Sequence, residues 1–90
     1  MNEIYLYGEI MSDNYFFDEV ITPKQVREFL QSASGEVKVH LNSIGGEIFA
    51  ALAISNMLKN YSGGVEILIE GICASAATII AYQICLYDFP

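Results

Sequence analysis

Along the chain, runs of alternating apolar and polar residues give way to stretches with helical spacing, and the two patterns take turns. Ile4-Tyr5-Leu6-Tyr7 is β-prone and ends at Gly8. Ser12-Asp13-Asn14 then supplies turn formers before the aromatic and acidic residues 15–19, so the opening reads as a strand and a loop. Thr22-Pro23-Lys24-Gln25 has a capping Thr, a Pro at the first helical position and a Gln three residues after the cap. These satisfy the unpaired N–H groups of a starting helix. That helix is expected to run through Val26, Phe29 and Leu30 to about Ala33, with Gly35 as its stop.

Val37, Val39 and Leu41 alternate with Lys38 and His40, predicting a short strand over residues 37–41 that ends at the loop Asn42-Ser43-Ile44-Gly45-Gly46. From Glu47 to about Asn60 the apolar residues predict a helix packed on most of its circumference. Tyr61-Ser62-Gly63-Gly64 breaks it. Val65-Glu66-Ile67-Leu68-Ile69 is the next expected strand, Gly71 turns the chain, and a last helix is expected to begin near Ser75. Strand, helix, strand with connections this short predicts a right-handed parallel crossover unit. Both strands lead through small-residue turns into helices, so both turns fall at the carboxyl edge of one sheet, where open parallel sheets form their sites.

Composition narrows the class. At 90 residues the chain is one small domain or a piece of a larger one. It is 53% hydrophobic and 17% charged with two prolines, which excludes disorder. A chain this size removes only roughly 60 to 65% of its unfolded surface from water, so the excess apolar residues imply a missing C-terminal portion or an oligomer interface. A net charge of −7 disfavours nucleic acid and anionic membrane as partners. Cys73 and Cys85 match no metal or disulfide spacing and are expected to be buried thiols in a reducing, cytoplasmic setting; no metal or cofactor is expected. The N-terminus lacks the pattern of a secretory signal, and the apolar residues 72–86 are fewer than the about 20 a spanning helix needs.

The chemistry lies in the two turns. Acyl transfer develops an oxyanion that needs two N–H donors about 3 Å away and a nucleophile across the carbonyl. Gly45 and Gly46 can present N–H groups outward, and Ser75 lies beside the N–H of Ala76. The spacing favours Ser75 as nucleophile with Gly46 and Ala76 as oxyanion donors, Gly45 being the neighbouring alternative. Against this stands the plainer reading that Ser is a common helix cap and Gly-Gly a common loop pair.

In this order and spacing, Asn42-Ser43-Ile44-Gly45-Gly46-Glu47-Ile48-Phe49-Ala50 and Gly71-Ile72-Cys73-Ala74-Ser75-Ala76-Ala77 resemble the Clp protease proteolytic subunit family over most of the chain. The Glu-Ile-Phe-Ala and Ala-Ser-Ala-Ala variants, with the opening residues 4–10, resemble its phage and prophage head-maturation branch. The resemblance implies an α/β, crotonase-like fold of repeated β-α-β units with a mainly parallel sheet, here as a single truncated domain over residues 1–90 whose C-terminal part is missing. It implies a cytoplasmic serine endopeptidase acting on polypeptide substrates as a homo-oligomeric ring fed by an ATP-driven unfoldase. It also assigns Ser75 as nucleophile and Gly46 and Ala76 as the oxyanion positions.

Two departures qualify that expectation. Ile44 stands where the family has Pro, which removes a fixed φ but keeps both glycines. The family's general-base His and its acid follow the Ser helix, whereas this chain reaches Pro90 without them. His40 reads instead as a half-exposed strand histidine, and Asp88 lacks a His to orient. The chain is therefore expected to be inactive or nearly so alone. Two alternatives remain open: a crotonase-type acyl-CoA-binding enzyme with Glu47 as its carboxylate base, and a non-catalytic oligomeric assembly module.

Overall fold

A computed structural model describes residues 2–13 and 19–88, with side chains through Tyr82. Its elements in chain order are β1 (Asn2–Tyr7), β2 (Glu9–Ile10), β3 (Val20–Ile21), α1 (Pro23–Ser32), β4 (Val37–Ser43), α2 (Ile48–Asn60), β5 (Val65–Cys73) and α3 (Ala77–Asp88). β1, β4 and β5 form a three-stranded sheet in that order, parallel throughout, with β4 in the centre. The fold is thus mixed α/β with a parallel sheet, as the sequence implied.

Alternation explains the two sheet faces. Ile4, Leu6, Val39 and Leu41 point into one core with Val26 of α1, Ala51, Ile54 and Leu58 of α2, and Ile80 of α3. The register pairs Glu3 with Lys38, Tyr5 with His40 and Lys38 with Glu66, so the polar and aromatic positions share the opposite face. α1 begins as expected: Thr22 Oγ1 accepts from Gln25 N–H and the Gln25 side chain accepts from Thr22 N–H, a complete capping box with Pro at the helix start.

Several expectations are corrected. β4 and β5 run on to Ser43 and Cys73, because the turn residues themselves continue the ladder. A short parallel pair, β2 with β3, was not visible in so few residues. α2 buries one face rather than most of its circumference: Ala50, Ala51, Ile54, Ser55 and Leu58 are buried while Ile48 and Phe49 are 59% and 85% exposed. The last helix starts at Ala77, since Ser75 has φ +54°, outside the right-handed helical region. Cys73 is only partly buried, because it ends an edge strand. Most of the aromatic and acidic residues 15–19, and the side chains of Cys85 and Asp88, lie outside the described residues.

Candidate active site

The loop after β4 is built by its own side chains. Ser43, buried at 2% exposure, accepts the Gly45 N–H on its Oγ at 3.0 Å. Its carbonyl accepts the Ala74 N–H at 3.1 Å, which ties the first turn to the second. Asn42 reaches across with Oδ1 to accept the Ile72 N–H at 2.9 Å. Between the pairs Leu41–Ile69 and Ser43–Cys73, β4 advances two residues and β5 four, so β5 carries a bulge at this point. Asn42 and Ser43 thus have structural roles: one holds the bulge and the other holds the glycine turn.

The two turns then meet. A Cβ placed on Gly45 would lie 2.8 Å from Ser75 Cβ, 2.9 Å from the Ala74 carbonyl oxygen and 3.0 Å from the Ala76 nitrogen. With φ at +108°, Gly45 is glycine both for its backbone and for this approach. Gly46 packs on the other side: Ile10 N–H donates to the Gly45 carbonyl at 2.8 Å and Glu47 N–H to the Ile10 carbonyl at 2.9 Å, so β2 backs the turn. Among the described residues neither the Gly46 N–H nor the Ala76 N–H has an acceptor, whereas the Gly45 N–H is occupied by Ser43.

Ser75 is exposed and is the one non-glycine described residue with positive φ. Its carbonyl accepts both the Thr78 N–H at 3.0 Å and the Thr78 hydroxyl at 2.6 Å, fixing the turn from the helix side. A left-handed serine costs about 1 to 3 kcal/mol and persists only where its surroundings hold it. Its side chain caps no helix N–H among the described residues, so the plainer reading of Ser75 as a helix cap does not describe this turn. An apolar cleft of about 280 Å³, bounded by Ile69, Cys73, Thr78, Ala81 and Tyr82, runs beside it along β5 and α3. Ile44, Ile48 and Phe49 expose apolar surface around the glycine turn.

The remaining candidates are occupied elsewhere. Glu47 Oε2 accepts the Ser12 N–H at 3.1 Å and the Ser12 hydroxyl at 3.5 Å, so this carboxylate braces the β2 loop. His40 is 7% exposed rather than half-exposed. Its Nε2 lies 2.7 Å from Glu3 Oε1 and its Nδ1 2.7 Å from Glu70 Oε2, while its ring stacks on Tyr5 with centroids 4.2 Å apart and planes 7° apart. The hydrogen bonds to Glu3 and then Glu70 raise the His40 pKa above the usual imidazole value, against a smaller opposing effect of burial. Glu3 is lowered, chiefly by its bond to His40; Glu70 is lowered by the Tyr7 hydroxyl, 2.6 Å away, and then by His40, and Tyr7 is raised in return. Sequence reading missed this cluster because parallel register, not spacing along the chain, brings its members together.

No group of His, Cys, Asp and Glu suited to a metal occurs among the described residues, and no described helix is long and apolar enough to cross a membrane. Compared with known families, residues 2–83 match the family described as Clp protease. No curated protein matches the chain.

Proposed function

The chain belongs to the Clp protease family, and from that premise we propose that it is a serine-type endopeptidase unit with Ser75 as nucleophile and the Gly46 and Ala76 N–H groups as oxyanion donors. Membership brings peptidase chemistry, polypeptide substrates and oligomeric assembly at the level of the family. The observation that supports the finer reading is the close approach of the Gly45–Gly46 turn to an exposed, left-handed Ser75, with two backbone donors unclaimed among the described residues. A preset pair of donors needs no reorganisation when the oxyanion forms, and losing one donor from such a pair costs about 100- to 1,000-fold in rate. Gly46 is preferred to Gly45 because the Gly45 N–H is already spent on Ser43.

The same reading makes the chain inactive or nearly so by itself. Attack by a hydroxyl requires a group to take its proton, and the sole histidine of the sequence has both ring nitrogens held by carboxylates. His40 is thus committed elsewhere, and we infer that it is not the base of Ser75. Exposed Ile69, Ile72 and Tyr82 form an apolar margin suited to further protein, and a cytoplasmic homo-oligomeric ring fed by an ATP-driven unfoldase is the assembly we infer. The residues Glu47-Ile48-Phe49-Ala50 and Ala74-Ser75-Ala76-Ala77 support a place in the phage and prophage head-maturation branch.

Chemical rescue tests the reading. Hydrolysis of an activated ester by the chain alone should exceed that of the Ser75→Ala variant only by the residual effect of the oxyanion donors, and added imidazole should widen the gap between wild type and variant. Equal rates for the two chains at every imidazole concentration would rule Ser75 out as the nucleophile.

A further inference from the structure

Outside the two turns, the most organised group in the molecule is the cluster on the sheet face turned away from the helices. His40 stands at its centre on β4, contacted by Glu3 from β1 and Glu70 from β5. Both contacts are 2.7 Å, and both partners are carboxylates. A neutral imidazole has one N–H and can satisfy only one ionised carboxylate, so two such contacts require both nitrogens to donate. The parallel stack on Tyr5 suits a cationic ring as well.

Glu70 is also the first residue past the Leu41–Ile69 pair, where β5 leaves register and bulges. Gly71 and Ile72 complete the bulge, and the chain then passes through Cys73 and Ala74 to Ser75. Three side chains hold this departure: Asn42 at the Ile72 N–H, Tyr7 at Glu70 Oε1 and His40 at Glu70 Oε2. Gly71 packs against the Asn42 amide, since a Cβ on it would lie 2.6 Å from Asn42 Oδ1. Only the His40 contact depends on a group that titrates near neutral pH.

We propose that His40 is a positioning residue for the Ser75 turn: as an imidazolium clamped between Glu3 and Glu70, it fixes the bulge that sets Ser75 against the Gly45–Gly46 turn. Loss of the ring proton removes one of the two charge-assisted bonds and loosens Glu70, so placement of the turn weakens as pH rises. The raised titration point of His40 puts that loss on the alkaline side of the ordinary imidazole range. The groups facing His40 are Glu3, Tyr5 and Tyr7 from β1 and Glu66 and Glu70 from β5, with Lys38 beside it on β4. Lys38 is 3.9 Å from Glu66, and the lowered Glu3 and Glu70 stay ionised as His40 titrates.

The consequence for Ser75 reactivity rests on the peptidase reading, but the placement itself is observable without any reaction. Amide hydrogen exchange of the full chain, corrected for the intrinsic dependence on pH, reads protection at Ile72 and Ala74, while ring nitrogen shifts of His40 follow its protonation. Protection at these two amides should fall about tenfold for each pH unit by which folding has raised the His40 titration, the fall beginning at the ring's unfolded value and levelling off as the folded ring titrates. Amides of α1 should show no such step. His40→Gln should abolish it. Should that variant fail to fold, Glu3→Gln, which removes one partner at the edge strand, should move the ring midpoint and the levelling-off together to lower pH. A ring with a single protonated nitrogen at neutral pH, a step absent at Ile72 and Ala74, or a midpoint and levelling-off that Glu3→Gln leaves in place would each overturn the proposal. If these outcomes hold but Ser75 never reacts, the peptidase reading fails and the positioning role stands.

Discussion

Replacing Gly45 with Ala tests whether the two turns are packed as one site. The substitution does two separable things. Alanine at φ +108° is strained, at a cost of about 1 to 3 kcal/mol. Its methyl group would also sit 2.8 Å from Ser75 Cβ and 3.0 Å from the Ala76 nitrogen, closer than the about 3.5 to 4.0 Å at which carbon atoms attract. The nearest atoms are backbone or adjacent to it, so the turn must move bodily, and overpacking of this kind costs about 1 to 3 kcal/mol more. Gly35 separates the two effects: its φ is +76°, and a Cβ there would meet nothing within 4 Å. Gly35→Ala should therefore show the strain alone. Urea unfolding of the two variants, at equal m-value, should place Gly45→Ala below Gly35→Ala by about 1 to 3 kcal/mol, a large share of a small domain's about 0.05 to 0.15 kcal/mol per residue. Equal loss in the two variants would mean that the turns do not touch, and the site built on their contact would fall with it.

Further expectations follow from single side chains. Asn42→Ala leaves the exposed Ile72 N–H to water and should cost about 0.5 to 1.5 kcal/mol in unfolding, with exchange quickened at Ile72 before any other β5 amide. Thr22→Ala removes one arm of the capping box and should cost about 1 kcal/mol, read as a lower urea midpoint with unchanged m. Ser55 is fully buried with no partner for its hydroxyl among the described residues, so Ser55→Ala should be neutral or stabilising by up to about 1 kcal/mol. For pH, the signs are opposed. The raised His40 contributes stability present below its unfolded pKa and lost as pH rises through its folded value; the lowered Glu3 and Glu70 contribute stability present above their unfolded values and lost as pH falls through their folded ones. Thermal melting should give a maximum between these limits, and His40→Gln should remove the decline on its alkaline side.

How far the sequence could be read depended on whether neighbours along the chain were also neighbours in space. The capping box of Thr22 and Gln25, the alternation of Val37, Val39 and Leu41, and the breaks at glycine are local, and the structure follows them. The meeting of Gly45 with Ser75 could be inferred because two similar strand-to-helix turns must share an edge in a parallel sheet. The bulge at residues 70–72 could not, since it depends on Asn42 reaching across strands. The same is true of His40: alternation puts it on the polar face, but only the pairing of β1, β4 and β5 surrounds it with Glu3, Glu70 and Tyr5 and buries it. The bare outer turn of α2, with Ile48 and Phe49 exposed, was hidden by counting apolar residues as though each had a covered place to go.

The central claim is that Ser75 and the two backbone donors form a preset acyl-transfer site that lacks its base. Its most direct measurement is the rate at which a fluorophosphonate modifies each serine of the chain, resolved by peptide mass spectrometry. The account predicts that Ser75 reacts faster than the exposed Ser34 and Ser62, through residual acceleration of up to about 1,000-fold from the oxyanion donors, yet remains far slower than a complete triad. Modification of Ser75 no faster than of Ser34 and Ser62 would contradict the preset site, and labelling at the speed of a complete triad would contradict the missing base.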